Sequence, residues 1–390
     1  MSDIVIVGAK RTAIGSMLGQ FTGVPTPTLG ATAMRAALAE SGIAGDQVDE
    51  VIMGCVLPAN LGQAPARQAA LAAGISNTVG CTTINKVCGS GMKAIMFGHD
   101  LIKAGSATVV VAGGMESMTN APHMANVRTG IRYGEGKFVD HMAWDGLTNP
   151  YDGQSMGVFA DATADKYGFT REAQDAYTIE SVNRALAAQK SGAFDDEIVP
   201  VKVSTRKGDV EYATDEQPGK SDTAKIPTLR AAFRKDGTVT AASSSSISDG
   251  AAAVIITDSD TAKKHGCTPI ARIVGHSTAA HEPEWFTTAP VGAMKTLLAK
   301  VGWSVEDVDL FEVNEAFAVV AMAPMKELGV PHDKLNVNGG ACALGHPIGA
   351  SGARLVVTLI NALRNRGGKK GIASLCIGGG EATAIAIEML

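Results

Sequence analysis

The sequence predicts an α/β protein made of two duplicated halves, each a sheet covered by helices, with an inserted loop segment between them. Three observations predict it. Ala31–Val51 (ATAMRAALAESGIAGDQVDEV) lines up without gaps on Val291–Phe311 (VGAMKTLLAKVGWSVEDVDLF) at an offset of 260, with identities at Ala33/Ala293, Met34/Met294, Leu38/Leu298, Ala39/Ala299, Gly42/Gly302, Val48/Val308 and Asp49/Asp309. Helix-period and short apolar strand patterns alternate in both halves, which places helices on both faces of parallel or mixed sheets. Between the halves the chain turns polar and is broken by Pro122, Pro150, Pro200, Pro218 and Pro227.

The elements follow in order. Ile4–Val7 reads as a strand closed by Gly8. Each copy of the repeat is a helix ended by glycine, an acidic turn and a β-run: Val51–Met53 in one, Leu310–Val313 in the other. Gly89–Lys93 (GSGMK) echoes Ala350–Arg354 (ASGAR) at an offset of 261, and the strand-to-Gly-Gly elements Val109–Gly114 and Ser374–Gly379 correspond loosely. Met92–Phe97 is apolar nearly all round, the pattern of a buried helix. Within the polar segment a helical block is expected around Phe159–Lys190. The boundaries are therefore residues 1–117 with 247–268 for the N-terminal half, 118–246 for the insert and 269–390 for the C-terminal half.

Composition narrows the class. A chain of 390 residues buries roughly 75% of its unfolded surface and needs no staples. Six cysteines without paired spacing are too sparse for a disulfide scaffold and read as free thiols. No apolar stretch approaches the ~20 residues of a membrane span, and a net charge of −5 excludes a nucleic-acid binder. No leader pattern precedes the first strand and the C-terminus carries no targeting signal, so a cytoplasmic protein is expected. One local exception stands out. Lys202–Lys235 holds eight basic residues (Lys202, Arg206, Lys207, Lys220, Lys225, Arg230, Arg234, Lys235) against five acidic ones, a solvated face or an anion site suited to a phosphorylated ligand.

The chemistry collects at four places. Cys88 stands at the start of the Met92–Phe97 helix, where unpaired amides and the positive dipole end favour a thiolate, and Gly89 and Gly91 leave backbone amides open to an acyl group. His346 lies between Gly345 and Pro347 in a turn ahead of another helix, placed to project from a loop. Cys376 ends a strand that runs into Gly378, Gly379 and Gly380, whose amides suit an anion. Asn314 and Glu315 follow the β-run of the second repeat copy, and sites in α/β sheets gather beyond strand carboxyl ends. Two cysteines, a histidine and an asparagine split between the halves point to acyl transfer through a thioester.

These segments resemble the signatures of the thiolase family, on its acetyl-CoA acetyltransferase branch: VCGSGMKA at Val87, NEAF at Asn314, GGACALGHPIGASG at Gly339 and CIGGG at Cys376. The likeness runs from VGAKRTAIG at Val7 to the end, through AGGMESM at Ala112, TDEQPGK at Thr214 and TVTAASSSSISDGAA at Thr238. The resemblance implies a thiolase-like fold and reversible cleavage of acetoacetyl-CoA or condensation of two acetyl-CoA. Cys88 would be the nucleophile, His346 its activating base, Cys376 the acid/base cysteine and Asn314 the holder of a water, with the Cys88 and Gly378 amides at the oxyanion. It also implies coenzyme A contacts from Ser245, Met156, Phe233, Phe286 and Phe317, with Lys220 a candidate for its phosphates. It further implies a homotetramer tethered through the insert, coenzyme A as substrate and no permanently bound cofactor or metal. Ser155 and Ser243 stand where many relatives carry His and Asn.

Other readings are weaker. Gly153–Gly157 matches the G-x-S-x-G nucleophile elbow but follows a turn, not a strand. No dinucleotide fingerprint follows a strand, and no cysteine or histidine pair has zinc spacing. A decarboxylating ketoacyl synthase would not need Cys376. A longer-chain 3-ketoacyl-CoA thiolase of fatty-acid degradation and a catalytically silent acyl-CoA-binding relative are the alternatives kept.

Overall fold

The alternation of the sequence becomes layers in a computed structural model that describes residues 2–390, so Met1 of the first half lies outside the described residues. The first half is β1 (Ile4–Thr12), α1 (Thr26–Ser41), β2 (Glu50–Gly54), α2 (Pro65–Ala73), β3 (Gly80–Ile84), α3 (Ser90–Lys103) and β4 (Val109–Ser117). The insert carries α4 (Met156–Tyr167) and α5 (Arg171–Ser191), after which β5 (Ser248–Asp258) returns to the first half. The second half is β6 (Ala271–Ala280), α6 (Ala289–Val301), β7 (Leu310–Val313), α7 (Ala318–Leu328), α8 (Ile348–Arg366), β8 (Lys370–Ile377) and β9 (Glu381–Met389).

The duplication is visible in the strand order. The first half runs β3-β2-β4-β5-β1 and the second β7-β8-β9-β6. The strand that would complete the second sheet shrinks to one parallel bridge, Phe311 with Leu335, on the outer side of β7. The two sheets are stitched by a short antiparallel pairing of β1 with β6, Val5 with Arg272 and Ile6 with Ala271. Period-2 alternation then sorts side chains between layers. Ile4, Ile6 and Val110 face a central layer, while Val5, Val7, Val109 and Val111 face an outer one. α3 and α8 form that central layer, packed on each other and between the sheets. α1 and α2 cover the first sheet outside, and α6 covers the second.

Three local expectations are corrected. β1 is not closed at Gly8; it runs on to Thr12 through a register shift between Ile6 and Gly8. The helical block is two helices, because Gly168 ends α4 in the left-handed region at φ 63° and Thr170 caps α5 by accepting from the Ala173 amide. α3 is not buried all round, since Phe97 is 40% exposed beneath the Lys93 ammonium. The fully enclosed helix is α8, in which every residue from Ile348 to Leu363 is buried.

The central helices touch through glycine. A Cβ on Gly91 of α3 would stand 2.8 Å from the Ala353 nitrogen of α8, and one on Gly352 would run into Met92 of α3. The insert is held by a second buried device. Arg11, at the end of β1 and fully buried, donates to Glu197 at 2.5 Å and forks onto Asp215 at 2.7 and 2.9 Å. Glu197 also accepts from Thr358 of α8. Such a buried charge network fixes one arrangement more than it adds stability.

Gly352→Ala should therefore destabilise the fold by about 1–3 kcal/mol in denaturant unfolding, the usual cost of overpacking. Gly219→Ala, whose added Cβ meets nothing within 4 Å, should change stability by less than about 0.5 kcal/mol. Equal effects would mean that the α3–α8 contact tolerates a methyl group.

Candidate active site

The contact of α3 with α8 decides where the reactive groups lie. Cys88 is two residues ahead of α3 and His346 two ahead of α8, so the packed helix starts bring both into one cavity of about 290 Å³. Gly378, just past β8, and Ser245, Met156, Phe233, Phe286 and Phe317 line it as well. Asn314 and Cys376 do not line it. Both are 0% exposed, Asn314 within hydrogen-bond reach of His346 and Cys376 close enough to Cys88 for that thiol to oppose its ionisation. The sequence thus named residues that converge from both halves.

The Cys88 turn is strained. Val87 has φ 47°, a conformation a β-branched residue rarely adopts, and its cost is carried by neighbouring hydrogen bonds. Asn85 accepts from the Val87 amide at 2.8 Å, and Ser90 donates its hydroxyl to the Val87 carbonyl at 2.7 Å while accepting from the Lys86 amide. Burial opposes the thiolate expected at this helix start. Burial pushes the Cys88 thiol up to about 11; the Gly378 and Cys88 amides pull it back only in part, and Glu116 pushes it further. Cys88 is itself half-buried, with part of its surface open to the cavity. Burial likewise keeps the Cys376 thiol well above its ordinary value.

His346 is buried and pushed down to about 3, first by desolvation and then by the Arg354 guanidinium. Its hydrogen-bond polarity is set from both sides. Ser351 donates its hydroxyl to the Pro347 carbonyl at 2.9 Å, which leaves its oxygen to accept the His346 Nδ1 proton at 2.5 Å. Arg354 has only donors, and its Nη2 meets Asn314 Oδ1 at 3.4 Å. The Asn314 Nδ2 therefore faces His346 Nε2 at 3.3 Å, and that nitrogen carries a lone pair. Glu312 lies 3.4 Å from Arg354 in the core, and burial, countered in part by that guanidinium, pushes its carboxyl up to about 8. Ser351 and Ser90 match in the repeat and do matching work, each bonding back to the turn that presents a reactive side chain.

Two buried carboxylates shape the walls. Glu116 accepts from the amides of Val56, Leu57 and Gly349, tying the loop after β2 to the first turn of α8. Glu315 accepts from Tyr177, Ser181, Asn336 and the Cys342 amide, fixing the segment that leads to His346. Sequence reading passed over Glu116, Arg354 and Ser351; the pairing of Ser351 and Arg354 with Ser90 and Lys93 in the repeat was the available signal.

The far end of the cavity is aromatic. The Phe317 ring meets Phe233 edge-on at 5.8 Å and Phe286 at 6.5 Å, with Phe233 36% exposed at the rim. Lys220 lies elsewhere, in a neighbouring cavity that shares only Ser244 and Ser246 with this one, and is paired with Glu216 at 2.5 Å. Lys202, Lys225 and Arg234 are also ion-paired. Among the described residues this leaves Arg206, Lys207, Arg230 and Lys235 of the basic stretch without a carboxylate partner. Ser155 is exposed at the start of α4 and follows a turn, which excludes a nucleophile elbow there. Ser243 fills a buried turn, accepting from the Thr240 amide at 2.8 Å.

Comparison with known proteins agrees with this geometry. Residues 4–260 match the thiolase N-terminal domain model and residues 267–389 the thiolase C-terminal domain model. The chain is 50% identical over 391 residues to an acetyl-CoA acetyltransferase of Cupriavidus necator, covering 100% of both. Its fold superposes on the crystal structure of the Bacillus anthracis acetyl-CoA acetyltransferase with a TM-score of 0.97 at 42% identity, covering 100% of this chain and 99% of that one. It superposes on the Acat5 thiolase of Ascaris suum in complex with coenzyme A with a TM-score of 0.95 at 43% identity, covering 100% of both chains. A thiol and a neutral imidazole brought together from duplicated halves, in a chain matched end to end by both domain models, place this protein in the thiolase family of acyltransferases.

Proposed function

We propose that the protein is an acetyl-CoA C-acetyltransferase that cleaves acetoacetyl-CoA with coenzyme A, and in reverse condenses two acetyl-CoA, through an acetyl-Cys88 intermediate. The observation that carries this is the uncharged His346 Nε2 sharing a cavity with the Cys88 thiol and the Gly378 amide.

In cleavage, His346 Nε2 takes the Cys88 proton as the sulfur attacks the 3-keto carbon. With the thiol held high and the imidazole low, an ion pair does not form in advance, so proton transfer accompanies attack. The Cys88 and Gly378 amides steady the oxyanion. The carbon–carbon bond breaks, acetyl-CoA enolate leaves facing His346 and Asn314, and Cys376 protonates its carbon. The proton on His346 then returns Cys376 to the thiol. A second coenzyme A gives its thiol proton to His346 and attacks the acetyl group, and Cys88 departs and takes that proton back. Every group ends as it began.

The acyl end favours short substrates. Cys88 packs against the apolar cluster of Val56, Leu57, Met118, Met142 and Ile348, so the group bound to sulfur meets a wall. Ser245, Met156, Phe233, Phe286 and Phe317 suit the pantetheine, and Lys220 would have to leave Glu216 to reach a phosphate. The exposed apolar side chains of the early insert, Val127, Ile131, Tyr133 and Phe138, support a homotetramer in which this loop bridges two dimers. Among the described residues no helix is long and apolar enough to cross a membrane, and six free cysteines suit the reducing cytoplasm.

Thiolysis should be fastest with acetoacetyl-CoA and fall along a series of longer 3-ketoacyl-CoAs, with intact-mass and peptide analysis placing an acetyl group on Cys88. Rising rates with chain length would favour the longer-chain thiolase, and no turnover or a label on Ser155 would remove the mechanism. Cys376→Ala should still be acetylated by acetyl-CoA yet lose ~10²–10⁴-fold of condensation and α-proton exchange; near-normal condensation would overturn its role. Light scattering should give close to four times 40.0 kDa, and deletion within Asn126–Gly136 should leave an active dimer. A monomeric parent, or a shortened protein still tetrameric, would show that this loop is not the tether.

A further inference from the structure

Among the described residues one group of side chains outside the active site has the chemistry of a metal site: His99 and Asp100 near the end of α3, and His276 on β6. His99 Nδ1 and His276 Nε2 each stand 2.9 Å from Asp100 Oδ1, and all three atoms lie within 4.8 Å of one another. We propose that these three residues bind one divalent transition-metal ion of the Zn²⁺ or Co²⁺ class, with its remaining positions open to water.

The donor set fits that class. Two imidazoles and a carboxylate suit zinc and its neighbours, whereas magnesium and calcium take oxygen ligands. Ligand atoms around a tetrahedral ion with ~2.1 Å bonds stand ~3.4 Å apart, so the two 2.9 Å hydrogen-bond contacts to Asp100 Oδ1 need to open by about half an ångström to admit the ion. The imidazole side chains are 14% and 12% exposed and the carboxylate 53%, so the ligands are held while one side faces solvent. Each ring needs only to move its proton to its other nitrogen to offer a lone pair. Lys300 donates to the His276 carbonyl at 3.0 Å, and Lys103 and Arg272 share the adjoining cleft with His99. These cations repel an ion held by charge alone and leave one held by nitrogen bonds. Spacing along the chain hid the site, because Asp100 and His276 are 176 residues apart.

The site is separate from catalysis. His99 is nine residues into α3, about 14 Å along the helix from its first turn, and the ion would clamp α3 of one half to β6 of the other. Titration of Co²⁺ into the reduced, intact enzyme should reach one equivalent with visible ligand-field bands and no near-ultraviolet thiolate band. Zn²⁺ should compete, Mg²⁺ should not, and the melting temperature should rise. His276→Ala and Asp100→Asn should each weaken binding at least about tenfold while thiolysis in metal-free buffer is unchanged. No binding, a thiolate band, equal competition by Mg²⁺, or undiminished binding in both variants would overturn the proposal.

Discussion

The approach of α3 to α8 at backbone distance is the constraint on which the remainder of the molecule depends. Neither half can make the site alone: Cys88 precedes α3, His346 precedes α8, and their distance is set by how closely these helix starts pack. Gly91 and Gly352 let the turns meet without side chains between them. A Cβ on Gly114 of β4 would likewise collide with the Gly349 carbonyl at the start of α8, so the strand beneath obeys the same limit. Glycine is costly within helices; here the loss is offset by contact that no other residue permits.

That proximity has an electrostatic consequence. Packing two helix starts between two sheets buries His346 and Cys376 and leaves Cys88 half-buried, and desolvation is the largest influence on each ionisation. It pushes both thiols up and the histidine down, working against the thiolate that a helix start favours. Arg354 contributes twice, depressing His346 through space and turning the Asn314 amide so that its NH₂ faces the imidazole. Glu312 lies 3.4 Å from that guanidinium in the core, though burial pushes its carboxyl up to about 8.

Much of this was legible in the residues because duplication leaves a linear trace. The gapless repeat announced two halves, and glycine-rich strand and helix ends marked Cys88, His346, Gly378 and Asn314 before any geometry was known. What escaped the sequence was whatever depends on partners far along the chain. Arg11 reads as an ordinary basic residue until Glu197 and Asp215 of the insert close over it. The positive φ of Val87 has no signal in a β-branched residue. The positive excess of the basic stretch was counted correctly, but ion pairing within folded neighbours consumes half of its cations, Lys220 among them. Burial, too, was judged from one helix at a time, so α3 was expected to be enclosed when α8 occupies that place.

The fold separates tasks that would interfere if they shared a segment. Groups around the sulfur come from strand and helix ends of the duplicated halves, locked by Glu116, Glu315 and the α3–α8 contact. The rim comes from the insert, where Met156 and Phe233 meet the Phe286 and Phe317 rings of the second half. A carrier with a long, polar tail needs a surface that adjusts to it, while bond-making at a carbonyl needs groups held to fractions of an ångström. The insert is anchored through Arg11 to β1 and through Glu197 to α8, and it also holds the reactive turn itself, through Tyr177 and Ser181 on Glu315 and through the Ser246 carbonyl that accepts from the His346 amide, so the rim and the reactive groups are positioned together.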